Sequence, residues 1–99
     1  VKRPQLIHIL GRDYSITYEL DDGDYGSCDT MQCEIEVREG MPRVEEQDTV
    51  LHEVMHAVWA LMDIGNRKVE EHVVRKMATG LLLVLQQNPD LTKYLVKPE

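Results

Sequence analysis

No stretch of this chain approaches the roughly 18 to 20 consecutive apolar residues that a membrane-crossing helix needs, and its N-terminus lacks the apolar core of a signal peptide. Neither a membrane nor a secretory route is therefore expected, and the expected compartment is the cytoplasm. Cysteine is scarce. Cys28 and Cys33 are the only two; they are not spaced as Cys-x-x-Cys and are too few for a disulfide framework, so reduced thiols are the expectation. Basic residues are also in deficit: 11 Lys and Arg stand against 18 Asp and Glu, for a formal net charge of −7. Binding to a phosphate backbone needs a basic patch, so nucleic acid is not an expected partner. The acidic balance suits a basic or neutral protein substrate, although in a small domain it also serves solubility. Repeats, low-complexity tracts and linkers are absent. The 99 residues read as one domain, 1–99, able to bury between roughly 60 and 70% of its unfolded surface and with no room for a second lobe.

What the chain does contain is His52-Glu53-Val54-Met55-His56, the His-Glu-x-x-His pattern of zinc hydrolases. Residues four apart share one helix face, so both imidazoles can reach one Zn²⁺ while Glu53 serves the attacking water. The flanks predict a helix from Val44 to Met62. Pro42 suits a first turn, Glu45, Glu46 and Asp48 favour the positive end of the dipole, and Gly65 with Asn66 closes the segment. Val50, Leu51, Val54, Val58, Leu61 and Met62 form one apolar arc. His52 and His56 fall almost opposite its centre, beside Trp59 and Asp63, as on the floor of a cleft.

Two histidines leave a catalytic zinc one protein ligand short. The extended pattern His-Glu-x-x-His-x-x-Gly-x-x-His/Asp is excluded, because its glycine position is Trp59 and its ligand position Met62. Asp63 is one residue late, about 10 Å along the axis from His56 if the helix continues. A second helix offers a carboxylate instead. From Arg67 to Gln87, Val73, Val74, Met77, Ala78, Leu81, Val84 and Leu85 predict a buried face centred near Met77 and Leu81. Glu70 projects close to the middle of that face, where a carboxylate is costly unless paired or bound to metal, and is the expected third ligand. Glu71, about a quarter-turn away, is the alternate. Glu70 could instead simply favour the helix dipole from the first turn, and His72 projects outward to solvent. Cys33 as a ligand, or either thiol capping the metal, is a further alternative to the ordinary reading of a small buried hydrophobe.

The first forty residues read as β-structure. Leu6–Leu10 and Tyr14–Leu20 alternate as strands joined by a turn at Gly11-Arg12-Asp13. The run Asp21–Ser27 reads as a solvated polar loop, and its acidic residues lack the EF-hand pattern of a calcium site. Gln32–Val37 turns Cys33, Ile35 and Val37 inward. The expected fold is α+β: a small three-stranded antiparallel sheet, two long helices on one of its faces, and a short C-terminal helical turn after Asn88-Pro89. Tyr14, Tyr18 and Tyr25 are candidates to stabilise an oxyanion, with packing as their ordinary role.

Thr49-Val-Leu-His-Glu-Val-Met-His-Ala-Val, Glu70-Glu71-x-Val-Val and Ala78-Thr-Gly-Leu-x-x-Val-Leu-x-x-Asn-Pro resemble small metallopeptidase-like proteins of phages and prophages. These are minimal gluzincins, similar to ImmA/IrrE-type peptidase domains and to minigluzincins. The resemblance spans Asp48 to Pro89 and fits Gln32–Val37 more loosely. It implies a zinc peptidase with His52 and His56 as ligands, Glu53 as general base, a glutamate from the second helix, and a peptide or protein substrate in the cytoplasm of a bacterial or phage-infected cell. It also implies a cleft bordered by the strand that leads into the motif helix. The rival expectation is an accessory protein that binds a partner, its zinc closed off by a fourth protein ligand such as Cys33.

Overall fold

The computed structural model describes residues 2–19 and 23–98. The order is β1 (Leu6–Ile9), β2 (Arg12–Glu19), β3 (Gly26–Asp29), β4 (Glu34–Arg38), α1 (Arg43–Leu61), α2 (Arg67–Gln87) and α3 (Pro89–Val96). The class is α+β, and both long helices lie within one residue of their expected bounds. Pro89 opens α3 at its first position, where its missing N–H costs nothing. Among the described residues no helix is long and apolar enough to cross a membrane.

The sheet differs from the expected three antiparallel strands. It has four, in the order β1-β2-β4-β3, and its central pair, β2 and β4, runs parallel, with Ile16 opposite Ile35 and Tyr18 opposite Val37. The extra strand is β3, whose Gly26 and Ser27 belong to the run read as a polar loop. Leu20, Asp21 and Asp22, which that run and the second strand include, lie outside the described residues. The chain leaves β2, passes the place beside it, and returns at the sheet edge as β3. A tight turn then brings it back as β4 between the two. Asp29 makes that turn, its Oδ1 accepting from the N–H groups of Met31 and Gln32, both at 3.0 Å. Cys33, at φ 56°, begins the return and packs at the margin of the core rather than within β4. The β1–β2 turn is Leu10-Gly11, both at positive φ, the requirement of a two-residue hairpin matching strand twist. Arg12 and Asp13 thus belong to β2 and not to the turn.

Among the described residues only one face of the sheet is covered. Tyr14, Ile16, Ile35 and Val37 are buried there against Ala57 and Ile9, while their neighbours along β2 and β4 are exposed, the alternation of a half-buried sheet. α1 supplies the cover through Val50, Val54, Val58 and Leu61, four of the six residues of its expected arc. Met62 is outside it, 59% exposed, because the helix has already ended. Asp63 takes the left-handed conformation at φ 51°; its N–H donates to Ala60 O and that of Ile64 to Trp59 O, the paired bonds of a Schellman stop. The terminator is therefore Asp63 and not Gly65.

α2 lies on α1 and not on the sheet, so the layers are sheet, α1 and α2. A helix that packs on another helix and not on the sheet buries a narrow strip, and here the strip against α1 runs through Val74 and Ala78, 1% and 0% exposed. Met77 and Leu81, the expected centre, are 54% and 41% exposed. Thr79 donating to Asp48 at 2.7 Å and Gln86 donating to Gln47 at 2.9 Å hold this phase. At the start of α2, Asn66 Oδ1 caps Lys68 N–H at 2.8 Å, satisfying one orphan donor.

Candidate metal centre

α1 places His52 and His56 on the flank that faces α2. Their rings meet edge to face with centroids 4.8 Å apart, and their Nε2 atoms stand 3.1 Å from one another. From α2, Glu71 brings Oε1 to 3.0 Å of His52 Nε2 and Oε2 to 2.8 Å of His56 Nε2. The three groups are thus a set of ligand atoms within 4.8 Å of one another, and the contacts between them are about 3 Å. In a tetrahedral site with ligand bonds near 2.0–2.1 Å the donors lie about 3.3 Å apart, so the triangle is close to the size a zinc ion needs. Two imidazole nitrogens and a carboxylate oxygen are also a donor set that zinc favours. Burial, reinforced by neighbouring His56 and opposed by Glu71, holds the His52 pKa below its ordinary value, and the neutral ring is the form that binds metal.

Of the two expected glutamates, it is the alternate, Glu71, whose oxygens meet the Nε2 pair. Glu70 does not reach the Nε2 pair. Its Oε2 lies 2.5 Å from His56 Nδ1, on the other side of the ring. The reason is the phase of α2: with the buried strip on Val74 and Ala78 instead of Met77 and Leu81, Glu70 and Glu71 straddle the ring of His56. Two consecutive glutamates were the visible signal, but which of them converges depends on the inter-helix contact.

Glu53 faces β3 and is only 5% exposed, with no hydrogen bond to the described residues. Burial, with smaller contributions from Glu71 and Asp24, raises its pKa to about 7 against the opposing pull of His56. A carboxyl group poised near neutrality suits proton transfer. Gly26 makes room for it. A Cβ there would stand 2.7 Å from Thr49 Cγ2, 3.0 Å from Glu36 O and 3.1 Å from Glu53 Oε2, and neither a β-branched side chain nor a backbone carbonyl can yield easily. Gly26→Ala should push α1 off β3 and lower stability by about 1–3 kcal/mol, as overpacking does. Urea unfolding of the metal-free protein checks it, and an unchanged midpoint would show that the α1–β3 contact is loose.

The triangle opens into a cleft of about 990 Å³ bounded by β3, α1 and the start of α2. Cys28, Tyr25, Trp59, Arg67 and Arg75 all line it, and Arg75 Nη2 stands 3.8 Å from Glu71 Oε1. Trp59 ties the end of α1 to the following turn by donating to Gly65 O at 3.2 Å. Of the three tyrosines only Tyr25 borders the cleft; Tyr14 is wholly buried under the sheet and Tyr18 donates to Pro4 O. Cys33 does not line the cleft, whereas Cys28 does, with its thiol pushed up to about 12, chiefly by burial. His72 is exposed, as expected. The strand leading into α1 is β4, which is interior, so the strand bordering the cleft is the edge strand β3. The sequence had given no sign of β3, Gly26 or Arg75.

Comparisons of the chain with protein-family models, curated proteins and solved structures find no match.

Proposed function

We propose that this chain is a zinc-dependent peptidase, with His52, His56 and Glu71 holding the metal and Glu53 as the general base. The observation that carries the proposal is the convergence of the three donors in a cleft, beside a buried carboxylate that makes no hydrogen bond to the described residues. The resemblance to small phage gluzincins supports the same reading and implies a cytoplasmic setting for it. When bound, zinc supplies a Lewis acid for the scissile carbonyl and lowers the pKa of a water toward about 7. Glu53 takes the proton of the attacking water and passes it to the departing amine nitrogen. His52 and His56 are held by the helix as metal ligands, so neither exchanges protons with substrate. The free edge of β3 offers backbone N–H and C=O groups, so an extended peptide can join the sheet as one more strand and present its carbonyl beside Glu53.

The test is zinc reconstitution at neutral pH, elemental analysis, and incubation with an unfolded protein such as denatured casein. One zinc per chain and chelator-sensitive cleavage are the expected results. A chain that takes up no zinc sinks the proposal; one that takes up zinc and cleaves nothing is an accessory protein.

A further inference from the structure

The contact between Glu70 and His56 has no place in the chemistry above. We propose that Glu70 is a positioning residue: by accepting a hydrogen bond from His56 Nδ1–H it fixes the ring's orientation and tautomer, so that Nε2 presents a lone pair to the point shared with His52 and Glu71. The inference rests on the proposed metal site for its purpose, but not for its geometry.

An ionised carboxylate can only accept hydrogen bonds, and a neutral imidazole carries one N–H. The neutral ring has one N–H for two carboxylates, and the shorter contact, Glu70 Oε2 at 2.5 Å from Nδ1 against Glu71 Oε2 at 2.8 Å from Nε2, favours its placement on Nδ1, which leaves Nε2 bare. Nε2 meets His52 Nε2 at 3.1 Å and Glu71 Oε2 at 2.8 Å, so three electron-rich atoms face one another. Such a grouping is unfavourable in itself and becomes favourable around a cation. The opposite tautomer would fill the same point with a proton and let Glu71 close over it.

Both side chains are well placed for this control. His56 and Glu70 are 15% and 20% exposed at their side chains, so water competes weakly for Nδ1. Consecutive helix residues point about 100° apart, which lets Glu70 and Glu71 reach the two nitrogens of a single ring. His52 has no such partner at its Nδ1 among the described residues, so the control acts on one histidine only. Carboxylates that orient ligating histidines typically change metal affinity 10- to 100-fold when removed.

The experiment has two readouts on wild type, Glu70→Ala and Glu70→Gln. The first is the tautomer of His56 in the metal-free protein at pH 8, read by long-range ¹H–¹⁵N correlation. Wild type should show Nδ1–H. Glu70→Ala should gain the Nε2–H form, and Glu70→Gln should fall between, because its amide can either accept from Nδ1 or donate to it. The second readout is a Zn²⁺ titration against a competing chelator, in which Glu70→Ala should bind one ion with 10- to 100-fold lower affinity. A merely structural role for Glu70 would move neither tautomer nor affinity once the variant is folded. If Glu70→Ala unfolds, Glu70→Gln is read in its place, with a partial gain of the Nε2–H form as the expected result. Unchanged Nδ1–H occupancy in a folded variant overturns the proposal, as does wild-type zinc affinity. If wild type itself binds no zinc, the function proposed above fails, while the metal-free tautomer still decides what Glu70 does to His56.

Discussion

Replacing Glu71 with alanine should weaken zinc binding roughly 10²- to 10³-fold, more than any change at Glu70. Structural zinc sites bind with about 10–16 kcal/mol, so one of four ligands carries about 3–4 kcal/mol. Among the described residues Glu71 is the only carboxylate that reaches both Nε2 atoms, at 3.0 and 2.8 Å, and its side chain is 54% exposed. Its loss therefore removes little packing, and the unfolding midpoint of the metal-free protein should hardly move. Glu70→Ala is the control. A larger loss there than in Glu71→Ala would return the ligand to Glu70 and mean that the two glutamates exchange places around the ion. The measurement is a chelator-competition titration of both variants at one pH.

That one-residue question marks where the sequence stopped being informative. The spacing of His52 and His56 and the helix around them are local facts, set by 3.6 residues per turn. The phase of α2 is not local. Seven apolar positions between Val73 and Leu85 outline an arc too broad to reveal which part meets a neighbour. Contact chose Val74 and Ala78, since small Ala78 permits close approach and Thr79 bonds to Asp48. Glu70 and Glu71 lie about 100° apart on the helix, so the placement of that strip decides which of them reaches the metal point.

The sheet failed in a different way. β1, β2 and β4 alternate apolar and polar residues and are legible as strands, but alternation carries no information on whether neighbours run parallel or antiparallel. β3 is Gly-Ser-Cys-Asp, with no apolar stripe beyond Cys28, because as an edge strand it contributes backbone pairing more than core. Its glycine, moreover, is required by Thr49 and Glu53 pressing against it. The features that make it useful as a cleft wall are those that make it resemble a loop. Once β3 takes the edge, β4 must fill the gap beside β2, and the central pairing becomes parallel.

Glu53→Gln should abolish hydrolysis while leaving zinc uptake intact, and in the metal-free protein it should make the fold more stable at neutral pH. Proton transfer by a positioned group typically contributes 10²- to 10⁴-fold to rate, so the loss in kcat should be at least of that order. The stability effect follows from the raised pKa, 4.5 unperturbed and about 7 in the folded protein. Between these values the folded chain holds a proton that the unfolded chain has released, so stability is full below pH 4.5 and falls as pH rises through about 7. Above that the folded state bears the whole cost of a buried carboxylate. The pKa gap sets an upper limit near 3 kcal/mol, and the water in the cleft reduces it to on the order of 1–2 kcal/mol. Glutamine keeps the shape without the charge. The variant should therefore match wild type in urea at pH 4.5 and exceed it by that margin at pH 8, with chelator present throughout because a bound cation would pull the carboxyl back down. Equal stability at both pH values would mean that Glu53 is well solvated, and a Gln variant that cleaves at the wild-type rate would remove it from the reaction.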